Sequence, residues 1–496
     1  MGKARRSGSG EGRQVVLTQG DESYGAWYRR AFRALQAFLG ISLALVLAFL
    51  LLGVLLYAVE RSDAAWLRPL RDGLSRHLFA DSEVTGGFLD TVAGGYLTMT
   101  SIIITMLLLV LQQTASNMGN LIFDQFMDRR RNKLYTGLIV GTLVLAIFVR
   151  GTVSESFNPV LGATLILVVS IISIVLLLAF LYSTIEQMRP ETIIGDIHAS
   201  TLHAREKQLS FVHRTRREPR ASGGTVVELR SEANGYLVAL DIDRLAGALA
   251  DVGPEVELVL VAAPGTYVSH YDLLARVRAG SAARAREVAE AVGRTFRFAI
   301  KRSIQQDPAY GLEQLEMLAW TEVSSAKQNP EVGVRAIHAL RDLLSRWMME
   351  EVEVKDEEPL PVVYVDDLMR GGLDVLESLG AVALESQEHQ VLAEVLRTVN
   401  ILFDRLTPDL RDRAEELVLR LLGYLDEQFL TRELDVALFQ VANTMETLGE
   451  AKTAEAIRDA REEQAAAFAF PADIVGRAEE IAAGTAREPG FRGEDE

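Results

Sequence analysis

FLGISLALVLAFLLLGVLLYAV, residues Phe38 to Val59, and VLGATLILVVSIISIVLLLAFLY, residues Val160 to Tyr182, decide the fold class of this chain. A hydrocarbon core of roughly 30 Å is crossed by about 20 apolar residues at about 1.5 Å each, and both runs reach that length. Two blocks between them also qualify. Gly94 to Leu111, extended back to Phe88, reads as the second span. Leu134 to Val149 is short, but Arg129, Arg130, Arg131 and Lys133 before it and Arg150 after it mark two interfaces, so it reads as the third. After Met188 the chain has the mixed charge of a protein in water. The sequence therefore predicts a membrane α-helical part of four transmembrane helices and a cytoplasmic α+β region, a small β-rich module followed by an α-helical bundle.

Composition narrows the function. Acidic residues number 68 against 51 basic ones, a formal net charge of −17, and no cationic face is concentrated enough for phosphate, which argues against a nucleic-acid partner. The chain has no cysteine, so disulfides, thiolate nucleophiles and cysteine-based metal centres are excluded. His198, His203 and His213 are not spaced to set two ligands on one helix face. There is no phosphate-binding glycine loop, no Gly-x-Ser-x-Gly and no dinucleotide fingerprint. No enzyme activity, cofactor or metal is expected.

Basic residues orient the spans. Lys3, Arg5, Arg6, Arg13, Arg29, Arg30 and Arg33 precede the first, and the Arg129 to Lys133 cluster lies between the second and third. Both regions are expected in the cytoplasm, which puts the N- and C-termini inside, with membrane lipid around the spans. The first block starts too far into the chain for a cleaved signal peptide and is expected to remain. Trp27, Tyr28, Tyr57, Trp66, Tyr135 and Tyr182 suit the interfaces. Leu121 to Met127 mixes apolar and charged residues, as a helix lying at the inner interface or a continuation of span two would.

The second span carries Gly94, Thr98, Ser101, Thr105, Gln112 and Ser116 at steps of a helical face, with Leu108 completing the row. Such a face turns toward protein or water rather than lipid. It either packs against a neighbouring helix or lines an aqueous pathway at an oligomer axis. Gly137 and Gly141 form a GxxxG pair in the third span, a helix-contact signal. No span holds an ionisable residue in its apolar middle, which disfavours pumping.

The predicted organisation is a basic cytoplasmic segment over 1–36, the membrane domain over 37–188, a connecting helix over 189–223 and the β-rich module over 224–280. A helical domain over 281–350, an acidic linker over 351–361, a helical bundle over 362–470 and a disordered tail over 471–496 follow. Turn signals stand at Asn234-Gly235 and Pro264-Gly265 with a helix over Asp241 to Ala250, capped by Asp241 or Asp243, and the strand–helix–strand order with Pro264 to Val268 resembles a barrel-sandwich module of the biotinyl and lipoyl kind. No lysine stands at a hairpin tip for a prosthetic group.

One stretch is distinctive: Gln306-Asp307-Pro308-Ala309-Tyr310-Gly311, followed by Asn329-Pro330. An Asp or Asn before a Pro suits a helix start, with the side chain as cap and the proline lacking the N–H that would stand unpaired. Together with the four apolar blocks, Asn234 to Leu237 and Pro264 to Val268, this stretch resembles the bacterial membrane-protein family called domain of unknown function 2254, over roughly Ala31 to Trp347. The chain departs from the family at Gln328-Asn329-Pro330, where the family has Asn-Asp-Pro. The resemblance implies a bacterial inner-membrane protein with four spans and carries no activity with it. Two readings follow from the residues: an oligomeric channel or pore with cytoplasmic gating modules, and a membrane-anchored scaffold or sensor whose cytoplasmic helices bind a protein partner. A homo-oligomer is expected on the first.

Overall fold

Apolar length alone makes the first block a helix, α1 (Gly25–Arg61), because a backbone in lipid must satisfy its hydrogen bonds within the segment. The computed structural model describes residues 4–5, 14–17, 25–62, 66–117, 130–187, 189–220, 223–249, 255–324, 329–350, 359–425 and 430–467. The segment Leu121 to Met127, the run 351–358 and the tail 471–496 lie outside the described residues. The chain divides into two units, residues 22–193 and residues 1–21 with 194–496.

In the first of these, α1 is followed by α2 (Arg68–His77), α3 (Ser82–Asn117), α4 (Arg130–Thr152) and α5 (Val160–Gln187). Four of these helices contain stretches long and apolar enough to cross a membrane: Gly40–Arg61, Ser82–Met106, Lys133–Thr152 and Val160–Gln187. The second stretch starts well before Phe88 because Asp81 accepts the Val84 N–H at 2.8 Å and caps α3. Helix α4 touches all three other spans, and its Ile139, Leu145 and Ala146 are fully buried. Leu43, Leu47, Leu51 and Leu55, one per turn of α1, stay exposed as a face for lipid. Glu60 ends α1 and accepts the Leu161 N–H at 2.5 Å, so a carboxylate meets the unpaired donors at the start of α5.

The other unit opens with β1 (Ala4–Arg5) and β2 (Gln14–Leu17) and resumes with α6 (Pro190–Val212), β3 (Thr225–Ser231), β4 (Gly235–Leu240) and α7 (Ile242–Leu249). Then come β5 (Glu257–Leu260), β6 (Tyr267–Val268), β7 (Leu273–Ala279), α8 (Ala282–Gly293) and β8 (Phe296–Ala299). With β9 (Val362–Val363) they form an open six-stranded sheet, β1-β2-β3-β7-β5-β9, and a three-stranded sheet, β6-β4-β8. Among the described residues the strands close no barrel, which corrects the barrel-sandwich expectation. Alternation of Val and Leu marks strands but not neighbours, and four of the strands come from segments outside 224–280: β1, β2, β8 and β9. Asp241 caps α7 through the Arg244 N–H at 3.2 Å, and Ser281 caps α8.

A strand before the first span and a strand after the fourth thus lie side by side in one sheet. Their pairing requires an even number of membrane crossings between residues 17 and 225, in keeping with four spans.

The remaining helices are α9 (Pro308–Val323), α10 (Pro330–Met348), α11 (Leu368–Glu385), α12 (His389–Phe403), α13 (Pro408–Leu422), α14 (Arg432–Thr447) and α15 (Ala451–Ala467). Each packs on the next helix but one and, except between α13 and α14, on the next, so odd-numbered and even-numbered helices form two layers. That order is the contact pattern of stacked helical hairpins, in which every added pair buries one face on its predecessor.

Candidate functional site

Three segments that lie far apart in the chain meet at one side chain, Arg302. Its Nε donates to Asp307 Oδ2 at 2.7 Å, and its Nη1 donates to both oxygens of Glu313 at 2.7 and 2.6 Å. Its guanidinium lies 4.8 Å from the ring centre of Tyr310 and 5.8 Å from that of Tyr236, a cation held between aromatic faces. Asp307 accepts the Tyr310 N–H at 3.2 Å and caps α9, with Pro308 in the first turn. Gly265, at φ +96°, packs on this pair: a Cβ there would meet Asp307 Oδ2 at 2.6 Å. Asn-Gly-Tyr-Leu, Pro-Gly-Thr-Tyr-Val and Gln-Asp-Pro-Ala-Tyr-Gly therefore form one junction between the three-stranded sheet and the first stacked helix. Burial pushes the Asp307 carboxyl above its ordinary range, against the pull of Arg302 and the Tyr310 N–H.

The junction joins the sheet to the helix through Arg302, Asp307 and Gly265. Gln306 is exposed beside it, and Gly311 faces Thr201 of α6. Asn329 precedes α10 and Pro330 but makes no side-chain cap, which corrects the capping expectation there. Its backbone N–H instead donates to the Glu322 carbonyl at 2.8 Å and closes the turn between α9 and α10.

The second-span stripe lies on the outside of its unit. Gly94, Thr98, Ser101, Thr105, Leu108 and Gln112 are all exposed on α3, and a groove of about 290 Å³ is lined by Thr98, Ser101, Ile102, Thr105, Met106 and Leu109. Thr98 and Thr105 donate their hydroxyls to the carbonyls of Gly94 and Ser101, one turn back. Ser116 sits in the last turn of α3, its side chain outside the described residues. Gly137 and Gly141 of α4 lie against α1: a Cβ on Gly137 would fall 2.8 Å from the Ser42 Cα, and one on Gly141 2.7 Å from Phe49 Cδ2.

Helix α6, which follows the fourth span, is fastened to the stacked helices by side chains that composition alone does not single out. Arg205, only 8% exposed, donates to Glu350 at 2.9 Å and to Asp366 at 2.7 Å, and stands 6.0 Å from the Trp347 ring centre. His198 Nε2 is 2.8 Å from Asp342 Oδ2. Further along, Glu394 of α12 gathers His338 and Arg341 of α10 at 2.9 and 2.8 Å, Arg413 of α13 pairs with Asp374 and Glu377 of α11, and Arg461 of α15 pairs with Asp435 of α14. Burial, followed by the hydrogen bond that the protonated Glu415 carboxyl donates to Glu450, pushes Glu415 up to about 7, against the donor of Thr453 at 3.3 Å. Among the described residues no group of three His, Asp or Glu side chains is arranged to hold a metal ion.

A family model described as a predicted membrane protein, DUF2254, matches residues 35–372, well over half of the chain. Uncharacterized proteins of Mycobacterium bovis and Mycobacterium tuberculosis are 24% identical over 265 residues, covering 51% of this chain and 50% of theirs. The chain thus spans about half the length of the curated relatives it matches. No solved structure matches.

Proposed function

We propose that this chain, which belongs to the DUF2254 family of predicted membrane proteins, is a membrane-anchored scaffold that takes partner proteins on the stacked helices α9 to α15. The observation that carries the reading is the packing order, each helix on the next but one and, except between α13 and α14, on the next. A stack of that kind grows surface along one direction without enlarging its core, which is how helical-repeat proteins hold extended partners. Ile401 and Leu419 stay exposed on α12 and α13, and Tyr424 just beyond, as apolar points among charged side chains. Basic residues around the spans favour the inner (plasma) membrane with both termini in the cytoplasm, where such partners are found. The reading includes no catalytic step.

The test compares the full chain with one ending at Pro359, both crosslinked in cells and purified in mild detergent at equal membrane insertion. Proteins recovered with the full chain and lost from the shortened one support the reading, and identical sets sink it.

A second reading, an oligomeric channel, is favoured by the exposure of Thr98, Ser101, Thr105 and Gln112 on the outer face of α3. In a homo-oligomer those faces meet around a shared axis. Ion flux through liposomes that falls in Thr105→Phe supports it, and a monodisperse monomer in mild detergent counts against it.

A further inference from the structure

The six-stranded sheet borrows two strands from the segment that precedes the first span. β2 runs parallel to β3, with Gln14 beside Glu228, Val15 beside Leu229, Val16 beside Arg230 and Leu17 beside Ser231, and β1 turns back along β2. On its other side β3 pairs with β7, so β2 closes an edge that would otherwise present a row of unpaired N–H and C=O groups. An edge of that kind accepts an extended chain through main-chain hydrogen bonds, with little demand on sequence.

The strand that fills it is short, four residues in β2 with two more in β1 behind it. The net gain from a backbone hydrogen bond and the entropy cost of ordering a residue are of similar size, so a strand this short is held weakly unless its linker keeps it close. In the chain, residues 18–24 separate β2 from α1, which begins at Gly25. We propose that the β3 edge is a strand-docking site and that Gln14–Leu17 is its reversible occupant from the same chain. The docked strand is then a non-covalent link between the residues that enter the first span and the sheet that follows the fourth, separate from the covalent link through α6. It does not rest on either the scaffold or the channel reading.

The absence of cysteine makes the test clean. Membranes holding the full chain with Val16→Cys and Arg230→Cys are oxidised mildly. A second version, Val227→Cys with Val277→Cys at paired positions of β3 and β7, reports that the sheet has formed. The expected result is a disulfide within one chain in both versions. A synthetic peptide of residues 10–20 at a few millimolar, the order of the effective concentration of a tethered segment, lowers the first yield roughly threefold and leaves the second unchanged. No disulfide at 16 and 230 while 227 and 277 join overturns the site. A disulfide between two copies overturns occupancy by the same chain, and a yield indifferent to the peptide overturns reversibility.

Discussion

A Cβ on Gly311 would lie 1.9 Å from the Thr201 hydroxyl oxygen, so the first turn of α9 meets α6 at a point where only hydrogen fits. Thr201 is fully buried and its hydroxyl is directed to the Ile197 carbonyl at 2.7 Å, which leaves the side chain no simple way to yield. The helix that follows the membrane domain and the first helix of the stack are held together at this contact.

Gly311→Ala is therefore expected to lower the thermal midpoint in detergent, by an overpacking cost of about 1–3 kcal/mol. Adding Thr201→Ala should restore only part, since the Thr201 Cβ itself is 2.9 Å from the same point. An unchanged midpoint for Gly311→Ala would show that α6 does not rest on α9.

Asp307→Ala leaves the buried Arg302 facing only Glu313 and removes the α9 cap. Truncating one partner of a buried pair costs roughly 3–5 kcal/mol, whereas replacing both partners by apolar residues of similar size costs far less. Urea unfolding should separate Asp307→Ala from the double variant Arg302→Met with Asp307→Leu by well over 1 kcal/mol. Equal losses in the two would mean that the ion pair itself does not matter.

The Glu415 and Glu450 pair predicts an acid-side optimum for the end of the stack. A carboxyl whose folded value is raised from 4.5 to about 7 holds its proton longer in the folded chain than in the unfolded one. Its contribution to stability is therefore favourable below the lower value and declines as pH rises through that window, levelling off above about 7. Glu415→Gln should flatten the decline and raise the midpoint above neutrality. Thermal midpoints at pH values below, within and above the window decide it, and parallel curves for the two proteins would refute it.

Gly141→Leu should separate α1 from α4, because Phe49 occupies the space a side chain would need. The expected signs are a lower midpoint and aggregation on gel filtration in detergent, milder for Gly141→Ala. A leucine variant that behaves as the parent protein would show that the two helices do not touch there.

The membrane helices were legible because span length is set by the bilayer, and Val160 heads the fourth span as its residues predict. The start of the second was not, since Ser82 to Phe88 is polar enough to pass for a loop until Asp81 is known to cap it. Asp307 could be read as a cap from its neighbour Pro308, a relation local in sequence. Asn329, with the same neighbour, does not cap, because its side-chain direction depends on the turn that Glu322 closes. Arg302 and Arg205 could not have been found. One is defined by Tyr236, Gly265 and Glu313, the other by Glu350 and Asp366, and charge pairing across such separations leaves no periodic trace. The order of the strands is hidden for the same reason, and the paired helix stack showed no fixed period because turns between its helices differ in length.

The pairing of Gln14–Leu17 with Glu228–Ser231 also sets an order of synthesis. The ribosome makes Gln14–Leu17 before the four apolar helices and its partner strand after them, so the earlier strand waits on one side of the bilayer while the four are threaded. If the translocon inserts one helix too few, the two strands emerge on opposite faces and the sheet stays open. Completion of the sheet thereby reports the parity of insertion, and a β3 edge left without its partner marks a chain in which an odd number of helices failed to cross.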